Sequence, residues 1–272
     1  MRFLLLTAAL VSAIPAVASA RPICTLVVDT STRETVFEEG DCNTRVTPAS
    51  TFKIALAVMG YDTGLLQDAQ MPGYPYREGY VDWGGDDWRQ TTTPSRWMEY
   101  SVVWYTRLIT PQLGEPLITD YLEAFGYGNA DFSGDVFQSN GLERAWMTSS
   151  LLISPREQTD FLARFLSGEL PVSRSAIENT VAITPQAQTA GGWRIWGKSG
   201  TAYPRDDTGR FDYSSGWGWY VGWAERDDQR VIFAHLLQDD TRQPTSPGRR
   251  APEDIVPRMD AFTGQLGQCW FC

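Results

Sequence analysis

The chain contains two lysines, and each lies close to a serine in a motif that could support nucleophilic catalysis. Lys53 follows Ser50 by three residues in STFK, and Lys198 directly precedes Ser199 in GKSGT; the other basic residues are arginines. A serine hydroxyl attacks a carbonyl group only when a neighbouring base accepts its proton. Arginine keeps its proton in proteins, whereas a lysine can become neutral. The first motif therefore predicts a nucleophile at Ser50 with Lys53 as its base.

The residues around Ser50 predict a helix from about residue 48 to residue 59. Thr47 suits the N-cap and Pro48 the first helical position, which places Ser50 in the first turn. The first four amides of a helix have no internal partner, so the Ser50 amide is free to bind a ligand. Lys53 follows on the same face, among the apolar residues of FKIALAV. Exclusion of water by these side chains would lower the lysine pKa from about 10.4.

Histidine, the usual partner of a catalytic serine, offers a weaker alternative. The single histidine, His235, lies in the apolar run VIFAHLL, where a hydrogen-bonded core histidine is expected. The chain also has no G-x-S-x-G nucleophile elbow. Lysine remains as the predicted base.

The second lysine lies in a segment that formally matches a phosphate-binding loop. GWRIWGKS (192–199) fits the pattern G-x-x-x-x-G-K-[ST]. Such a loop needs a flexible cradle before the lysine and a helix after it. Bulky, strand-forming residues fill the cradle positions here, and GTAYPRDDTG cannot begin a helix. The pattern therefore favours a strand over a nucleotide site.

On an edge strand, the residues after Lys198 would border a ligand. Gly200 would allow the ligand backbone to approach closely. The Thr201 amide could then act as a second oxyanion donor opposite that of Ser50.

The first 20 residues have the features of a secretory signal peptide. One arginine precedes an apolar run, and Ala18-Ser19-Ala20 forms a small-residue cleavage site before Arg21. A membrane anchor is the alternative, but the run is short and broken by Pro15. Without Arg2, 22 basic residues (23 − 1) oppose 33 acidic ones, a net charge of −11. We expect export to the periplasm, with no membrane attachment of the mature chain and no nucleic-acid partner.

The four cysteines are expected to form two local disulfides, because an exported chain meets an oxidising environment. Cys24 and Cys42 flank two strand-like runs that could form a hairpin. Cys269 and Cys272 end the chain in CWFC, which lacks the βαβ context of a redox motif. One histidine and scattered cysteines are a poor ligand set for zinc, so we expect no metal.

The order of predicted elements indicates an α+β fold with an antiparallel sheet flanked by helices and an inserted all-helical part. Strand-like runs lie near both ends, including GWRIWGKSG, GWGWYVGWAE and RVIFAHLLQ. The middle is helical, as in PSRWMEYSVVWYTRLI, EPLITDYLEAFG and SPREQTDFLARFLSG, and a last helix fits about 252–266. We predict one domain over 21–272, with an α/β part at about 21–60 and 186–272 and a helical part at about 61–185.

Together these motifs resemble the penicillin-recognising serine enzymes and, among them, the class D β-lactamases or oxacillinases. The matching segments, in the family's order, are STFK (50–53), SVV (101–103), YGN (127–129), AWMTSSLLIS (145–154) and KSG (198–200). The resemblance spans most of the mature chain and implies a serine β-lactamase fold. Without it, YGN would be interpreted as a surface turn and Trp146 as a core residue.

The resemblance implies a role for each matched catalytic residue. Ser50 would be acylated by the β-lactam carbonyl. Lys53 would react with carbon dioxide to form a carbamate, the general base; no other cofactor is implied. Trp146 would hold the carbamate by a hydrogen bond, and Ser101 would relay a proton to the leaving nitrogen. Val103 would help keep the lysine pocket dry.

The resemblance also implies that Lys198 and Ser199 bind the substrate carboxylate. Many relatives add an arginine after the last strand; PGRRAPEDIV offers Arg249 or Arg250, and spacing does not decide between them. The residues predicted to border the substrate are Val103, Tyr127, Asn129, Ser199, Gly200, Thr201 and Arg250. KSG departs from the more common threonine form, although serine keeps the hydroxyl.

Three functions fit this pattern. A β-lactamase would be acylated and then hydrolyse the acyl-enzyme, conferring β-lactam resistance. A penicillin sensor would stop at acylation, but the sequence shows no further domain or membrane span. A cell-wall transpeptidase or carboxypeptidase usually has asparagine where Val103 stands. We expect the β-lactamase, with a small β-lactam as its partner; the sequence does not reveal which β-lactams it favours or its oligomeric state.

Overall fold

The computed structural model describes residues 21–263, and an antiparallel six-stranded sheet forms its centre. The strands lie in the spatial order β2-β1-β6-β5-β4-β3. Their bounds are β1 (Arg21–Asp29), β2 (Thr35–Gly40), β3 (Gln186–Gln188), β4 (Arg194–Ala202), β5 (Trp217–Arg226) and β6 (Gln229–Gln238). Strands from the two ends of the chain pair as β1 with β6, so the prediction of one shared sheet is confirmed.

The helices occupy the middle of the chain and its C-terminal part. They are α1 (Lys53–Asp62), α2 (Pro94–Glu99), α3 (Val103–Leu113), α4 (Glu115–Phe125), α5 (Gly141–Arg144), α6 (Pro155–Ser167), α7 (Arg174–Ile183), α8 (Pro247–Ile255) and α9 (Met259–Thr263). The local sequence explains where several of these helices begin and end. A capping box of Ser154 and Glu157 begins α6, and left-handed Gly168 ends it. The predicted α+β class is confirmed.

Alternating side chains divide most buried residues of the sheet between two apolar cores, and β1 adds a smaller cluster around the Cys24–Cys42 disulfide. Trp196 and Trp223 pack with α1 and the helical part on one face. Ile195 and Phe233 pack with α8 and α9 on the other. Because successive strand residues point to opposite faces, one strand can contribute to the nucleophile's surroundings on one side and to the α8 packing on the other.

The elements differ from the sequence prediction in three respects. The apolar run 94–109 is divided into α2 and α3 at Tyr100–Val102, where Ser101 has a φ of 59°. The last helical segment begins at Pro247, before the predicted 252, because proline is well tolerated in the first helical turn. The structure also has α7 and the short β3, neither of which was predicted as an element.

The described cysteines and histidine agree with prediction. Cys24 and Cys42 form a disulfide across the β1–β2 hairpin; the predicted Cys269–Cys272 bridge and the signal peptide lie outside the described residues. His235 is fully buried, with Nδ1 2.9 Å from Thr25 Oγ1 and Nε2 3.2 Å from Asp254 Oδ2. Within residues 21–263, no helix has the length and apolar character needed to cross a bilayer.

Candidate active site

The segment before Ser50 is held between the sheet and the loop that follows α5. Val46 forms an antiparallel bridge with Ile153. Trp219 Nε1 donates to the Thr47 carbonyl at 2.9 Å, and Thr47 Oγ1 donates to the Trp146 carbonyl at 2.8 Å. These bonds fix the backbone that leads into the nucleophile.

Thr47 is not the N-cap that the sequence predicted. Its hydroxyl is bonded to Trp146 O and accepts from the Thr148 amide at 3.0 Å, so it does not cap the helix. The helical run begins as a 3-10 turn over Ala49–Phe52, and α1 starts at Lys53. Ser50 therefore lies in the 3-10 turn, directly after Ala49, whose φ is 51°.

Ser50 and Lys53 are in direct contact, as their spacing predicted. Lys53 Nζ donates to Ser50 Oγ at 3.1 Å. One turn of helix separates the two residues, which brings their side chains to the same face. The hydroxyl thus lies within proton-transfer distance of the amine.

The Lys53 amine lies in a dry environment. The side chain is fully buried among α1 and its apolar neighbours. Burial, and secondarily the positive charge of Lys198, lowers the pKa of Lys53 well below its ordinary 10.5. Lys53 therefore loses its proton more readily than an exposed lysine does.

Lys198 is the second buried amine of the site. Its side chain is 2% exposed, and Nζ donates to the Ser199 carbonyl at 3.1 Å. Burial lowers its pKa from 10.5 to about 7. Lys198 therefore changes its charge near neutral pH, close to the Ser50–Lys53 pair.

The edge of β4 is open beside Ser50. β3 pairs only with Arg194–Trp196, so residues 197–202 have a neighbouring strand on one side only. The Gly197 amide donates outward to Pro185 O at 3.0 Å. Strand amides two residues apart point the same way, so the Thr201 amide also faces the open edge.

Gly200 sets the distance between this edge and the nucleophile. A Cβ at Gly200 would lie 3.0 Å from Pro48 O and 3.2 Å from the Ser50 amide nitrogen. Only glycine allows this approach without displacement. The alternation of the strand places Lys198 and Gly200 toward α1, while the side chains of Ser199 and Thr201 face α8. The Thr201 hydroxyl accepts from the Gly248 amide at 3.1 Å.

Ser101 and Val103 lie at the junction of α2 and α3. Ser101 is partly exposed in a left-handed conformation, which is unfavourable for a non-glycine residue. The Val102 amide donates to Trp97 O at 3.2 Å and holds the turn. Val103 begins α3 and is 6% exposed, so it contributes apolar surface to the interior.

Trp146 has a buried donor without a partner. Its ring stacks on Phe52, with centroids 5.9 Å apart, and on Phe132 at 6.0 Å. The residue is 1% exposed, and no hydrogen-bond acceptor for Nε1 occurs within residues 21–263. A buried N–H without an acceptor is costly. The ring contact places Trp146 beside Phe52, the residue before Lys53.

Tyr127 and Asn129 were predicted to border the substrate; in the structure Tyr127 is buried and Asn129 is half-buried with hydrogen bonds to neighbouring backbone. Tyr127 is fully buried between Phe52 and Phe161, so a substrate cannot touch it in this conformation. Asn129 Nδ2 donates to Ser150 O at 2.8 Å, and its Oδ1 accepts from the Leu152 amide at 2.9 Å. Asn129 thereby ties its loop to the segment after Trp146.

Arg250 was also placed in the substrate site, but its guanidinium is already engaged by a protein carboxylate. Arg250 Nη2 lies 2.5 and 2.7 Å from the two oxygens of Asp239. The alternative, Arg249, is 75% exposed in its side chain, with Glu253 at 3.9 Å. Arg250 therefore already has a carboxylate partner, whereas Arg249 is largely exposed, and the choice between them as a substrate ligand stays a prediction.

Three polar residues near the site were not found from the sequence. Asp239 pairs with Arg250, Gln158 Nε2 donates to Thr51 Oγ1 at 2.8 Å, and Glu99 lines a depression with Lys198. Two features of the sequence could have indicated them. Glu99 stands two residues before Ser101, and Asp239 directly follows the apolar strand β6.

The comparisons with known proteins agree with this geometry. The family model of the penicillin binding protein transpeptidase domain matches residues 23–257. The crystal structure of the class D β-lactamase OXA-427 superposes with a TM-score of 0.80 and 42% identity, covering 91% of this chain and 98% of that one. The chain belongs to the class D β-lactamases. The family predicted from the motifs is thus confirmed.

Two curated relatives support the same membership. β-Lactamase OXA-9 of Klebsiella pneumoniae is 40% identical over 241 residues, covering 89% of this class D chain and 88% of OXA-9. β-Lactamase OXA-1 of Escherichia coli is 37% identical over 217 residues, covering 79% and 75% of the respective chains.

The presence of only two lysines allows a direct test of the two buried amines. In protein labelled with carbon-13 at lysine Cε, we expect one amine to titrate near pH 7 and the other well below 10.5. Burial of each amine is the physical reason. Lys198→Arg and Lys53→Arg each remove one signal and assign the other. Titration of both signals near 10.5 would contradict the dry site.

Proposed function

We propose that this class D β-lactamase hydrolyses β-lactam antibiotics through an acyl-enzyme on Ser50 and thereby confers resistance to them. The observation that carries the proposal is the 3.1 Å contact between Ser50 Oγ and the fully buried amine of Lys53. A hydroxyl next to a neutral, water-excluded base is suited to attack a strained amide carbonyl.

In the acylation step, Ser50 Oγ bonds to the β-lactam carbonyl carbon and the ring C–N bond breaks. The hydroxyl proton moves to the basic group at Lys53. Ser101, which lies just before α3, passes its proton to the departing nitrogen and receives in its place the proton that the Lys53 base took from Ser50. Water then attacks the Ser50 ester, which releases the opened product and restores the hydroxyl.

The amides of Ser50 and Thr201 would bind the developing oxyanion. Gly200 supports this role because an added Cβ there would lie 3.2 Å from the Ser50 amide nitrogen, so the β4 backbone passes close to the nucleophile. Removal of one oxyanion donor typically costs about 10²–10³-fold in kcat.

Lys198 and Ser199 would receive the carboxylate of the substrate. Lys198 lies next to the open edge, with its amine against Ser199 O. Since its pKa is about 7, it would be partly protonated at neutral pH, and an arriving anion would favour the charged form. This binding does not require the amine to lose its proton.

We further propose that carbon dioxide modifies Lys53. Only a neutral amine can add carbon dioxide, with release of a proton, and burial favours that neutral form. The unpartnered Trp146 Nε1 fits as the donor to the added oxygen atoms. When present, the carbamate supplies a carboxylate base in place of the amine.

The protein is proposed to act in the periplasm after cleavage near Ala20. The basis is the sequence pattern of residues 1–20. The substrate would then meet the enzyme outside the cytoplasm.

Intact mass spectrometry of protein purified from the periplasm tests activity and processing together. After mixing with penicillin, we expect opened product to accumulate while the enzyme returns to its unmodified mass. That mass should correspond to a chain beginning at Arg21. A lasting adduct without product would indicate a penicillin sensor instead, and a retained leader would contradict cleavage near Ala20.

Lys53→Arg should lower the turnover of a chromogenic cephalosporin by about 10²-fold or more, because guanidinium cannot accept the Ser50 proton. Lys198→Arg should retain activity within about tenfold of wild type, since that position needs positive charge. Circular dichroism checks that both variants fold. Equal loss in the two variants would show that Lys53 has no special role as a base.

Trp146→Phe should reduce carbamate formation, because the substitution removes the proposed donor and keeps an aromatic ring. Carbon-13 NMR of protein equilibrated with labelled bicarbonate measures the carbamate signal independently of activity. Lys53→Arg should abolish that signal. A carbamate signal that survives in Lys53→Arg would place the modification elsewhere.

A further inference from the structure

Gln158 is a buried polar residue that the proposed mechanism does not use. It lies in α6, with its side chain in the interior. A buried amide is costly unless it is hydrogen-bonded, and Gln158 Nε2 donates to Thr51 Oγ1 at 2.8 Å. Thr51 is also buried, and it directly follows Ser50. The Gln158 amide therefore reaches the turn that carries the nucleophile.

The hydrogen bond from Gln158 sets the direction of the Thr51 hydroxyl. Thr51 Oγ1 accepts from Gln158, so its single proton is directed to the Pro48 carbonyl oxygen, which lies 2.7 Å away. The Thr51 amide also donates to Pro48 O, at 3.2 Å. The three residues thus form one buried chain of hydrogen bonds that ends at the Pro48 carbonyl.

The Pro48 carbonyl is next to the proposed oxyanion site. A Cβ added at Gly200 would lie 3.0 Å from Pro48 O and 3.2 Å from the Ser50 amide nitrogen. Ala49, between Pro48 and Ser50, has a left-handed backbone with a φ of 51°. Such a conformation persists only where the surrounding structure holds it. A fixed Pro48 carbonyl therefore limits rotation of the backbone that presents the Ser50 amide.

The first turn of α6 is anchored to the segment that leads into the nucleophile. Glu157 belongs to the capping box of α6, and its carboxylate also pairs with Arg45. Val46, the residue after Arg45, pairs through its backbone with Ile153. A side chain that positions another group must itself be held in place, and these contacts give Gln158 such a fixed base.

We propose that Gln158 is a positioning residue for Ser50, acting through the Thr51 hydroxyl and the Pro48 carbonyl. The chain of hydrogen bonds holds the Ser50 amide in the direction that an oxyanion donor requires. Gln158 does not touch the substrate. This inference rests on the proposed acylation of Ser50, and it gives α6 a part in that step.

Gln158→Met tests the proposal, because methionine keeps the length of the side chain and removes the amide. We expect the maximum rate of Ser50 acylation by benzylpenicillin to fall about tenfold, since a misdirected oxyanion donor stabilises the transition state less. The penicillin concentration that gives half of this rate should stay within about twofold of wild type, because the variant leaves substrate binding unchanged. Rapid-quench sampling with intact mass spectrometry measures both quantities. A rise in that concentration equal to the loss of rate would indicate general loosening of the site and would contradict the proposal.

Thr51→Val and Thr51→Ser form the matched pair, because only serine keeps the hydroxyl. Thr51→Val should lose as much acylation rate as Gln158→Met. Thr51→Ser should stay within about threefold of wild type, since serine can make the same two hydrogen bonds. The double variant Gln158→Met/Thr51→Val should be no slower than Thr51→Val alone, because both substitutions interrupt the same chain. Thermal unfolding checks that each variant folds, and the Thr51 pair tests the chain if Gln158→Met does not.

Acylation at the wild-type rate in folded Gln158→Met or Thr51→Val would overturn the role of Gln158. Losses that add in the double variant would overturn it too, as would a Thr51→Ser variant as slow as Thr51→Val. A wild type that forms no adduct at Ser50 would instead overturn the proposed acylation, so the two failures are distinguishable.

Discussion

The exclusion of water from one amine is the constraint on which the rest of the site depends. Lys53 is fully buried and contacts Ser50 Oγ. An exposed lysine would remain protonated at neutral pH and could not accept a proton. The surrounding apolar helices therefore contribute to the proposed chemistry as well as to folding, because their packing lowers the pKa of the amine.

The same constraint explains why two lysines can lie close together. Their mutual repulsion adds to burial in lowering the pKa of Lys53. Lys198 keeps a polar neighbour in Ser199 O and titrates near neutral pH. Different surroundings thus give two chemically identical groups different pKa values.

The sequence correctly predicted the features that depend only on residues close together in the chain. The three-residue spacing places Lys53 against Ser50 on any helical turn, and the aromatic, β-branched texture around Lys198 predicts a strand. Long-range packing decided the rest. The match of Tyr127 to a family motif does not indicate whether its side chain is buried. Nothing in the polar run after β6 indicates that Asp239 pairs with Arg250. No glycine marks the turn at Ser101 that interrupts the apolar run 94–109.

Three non-glycine residues around the site have left-handed backbones: Ala49, Ser101 and Thr148, with φ values of 51°, 59° and 56°. Each such conformation costs about 1–3 kcal/mol, which is large beside a typical net stability of about 5–15 kcal/mol. The scaffold must compensate for this cost through its packing elsewhere. A substitution that adapts the enzyme to a new antibiotic therefore acts on a protein whose net stability is already lowered by these turns. A change that removes a left-handed conformation would raise the stability and lower the β-lactamase activity.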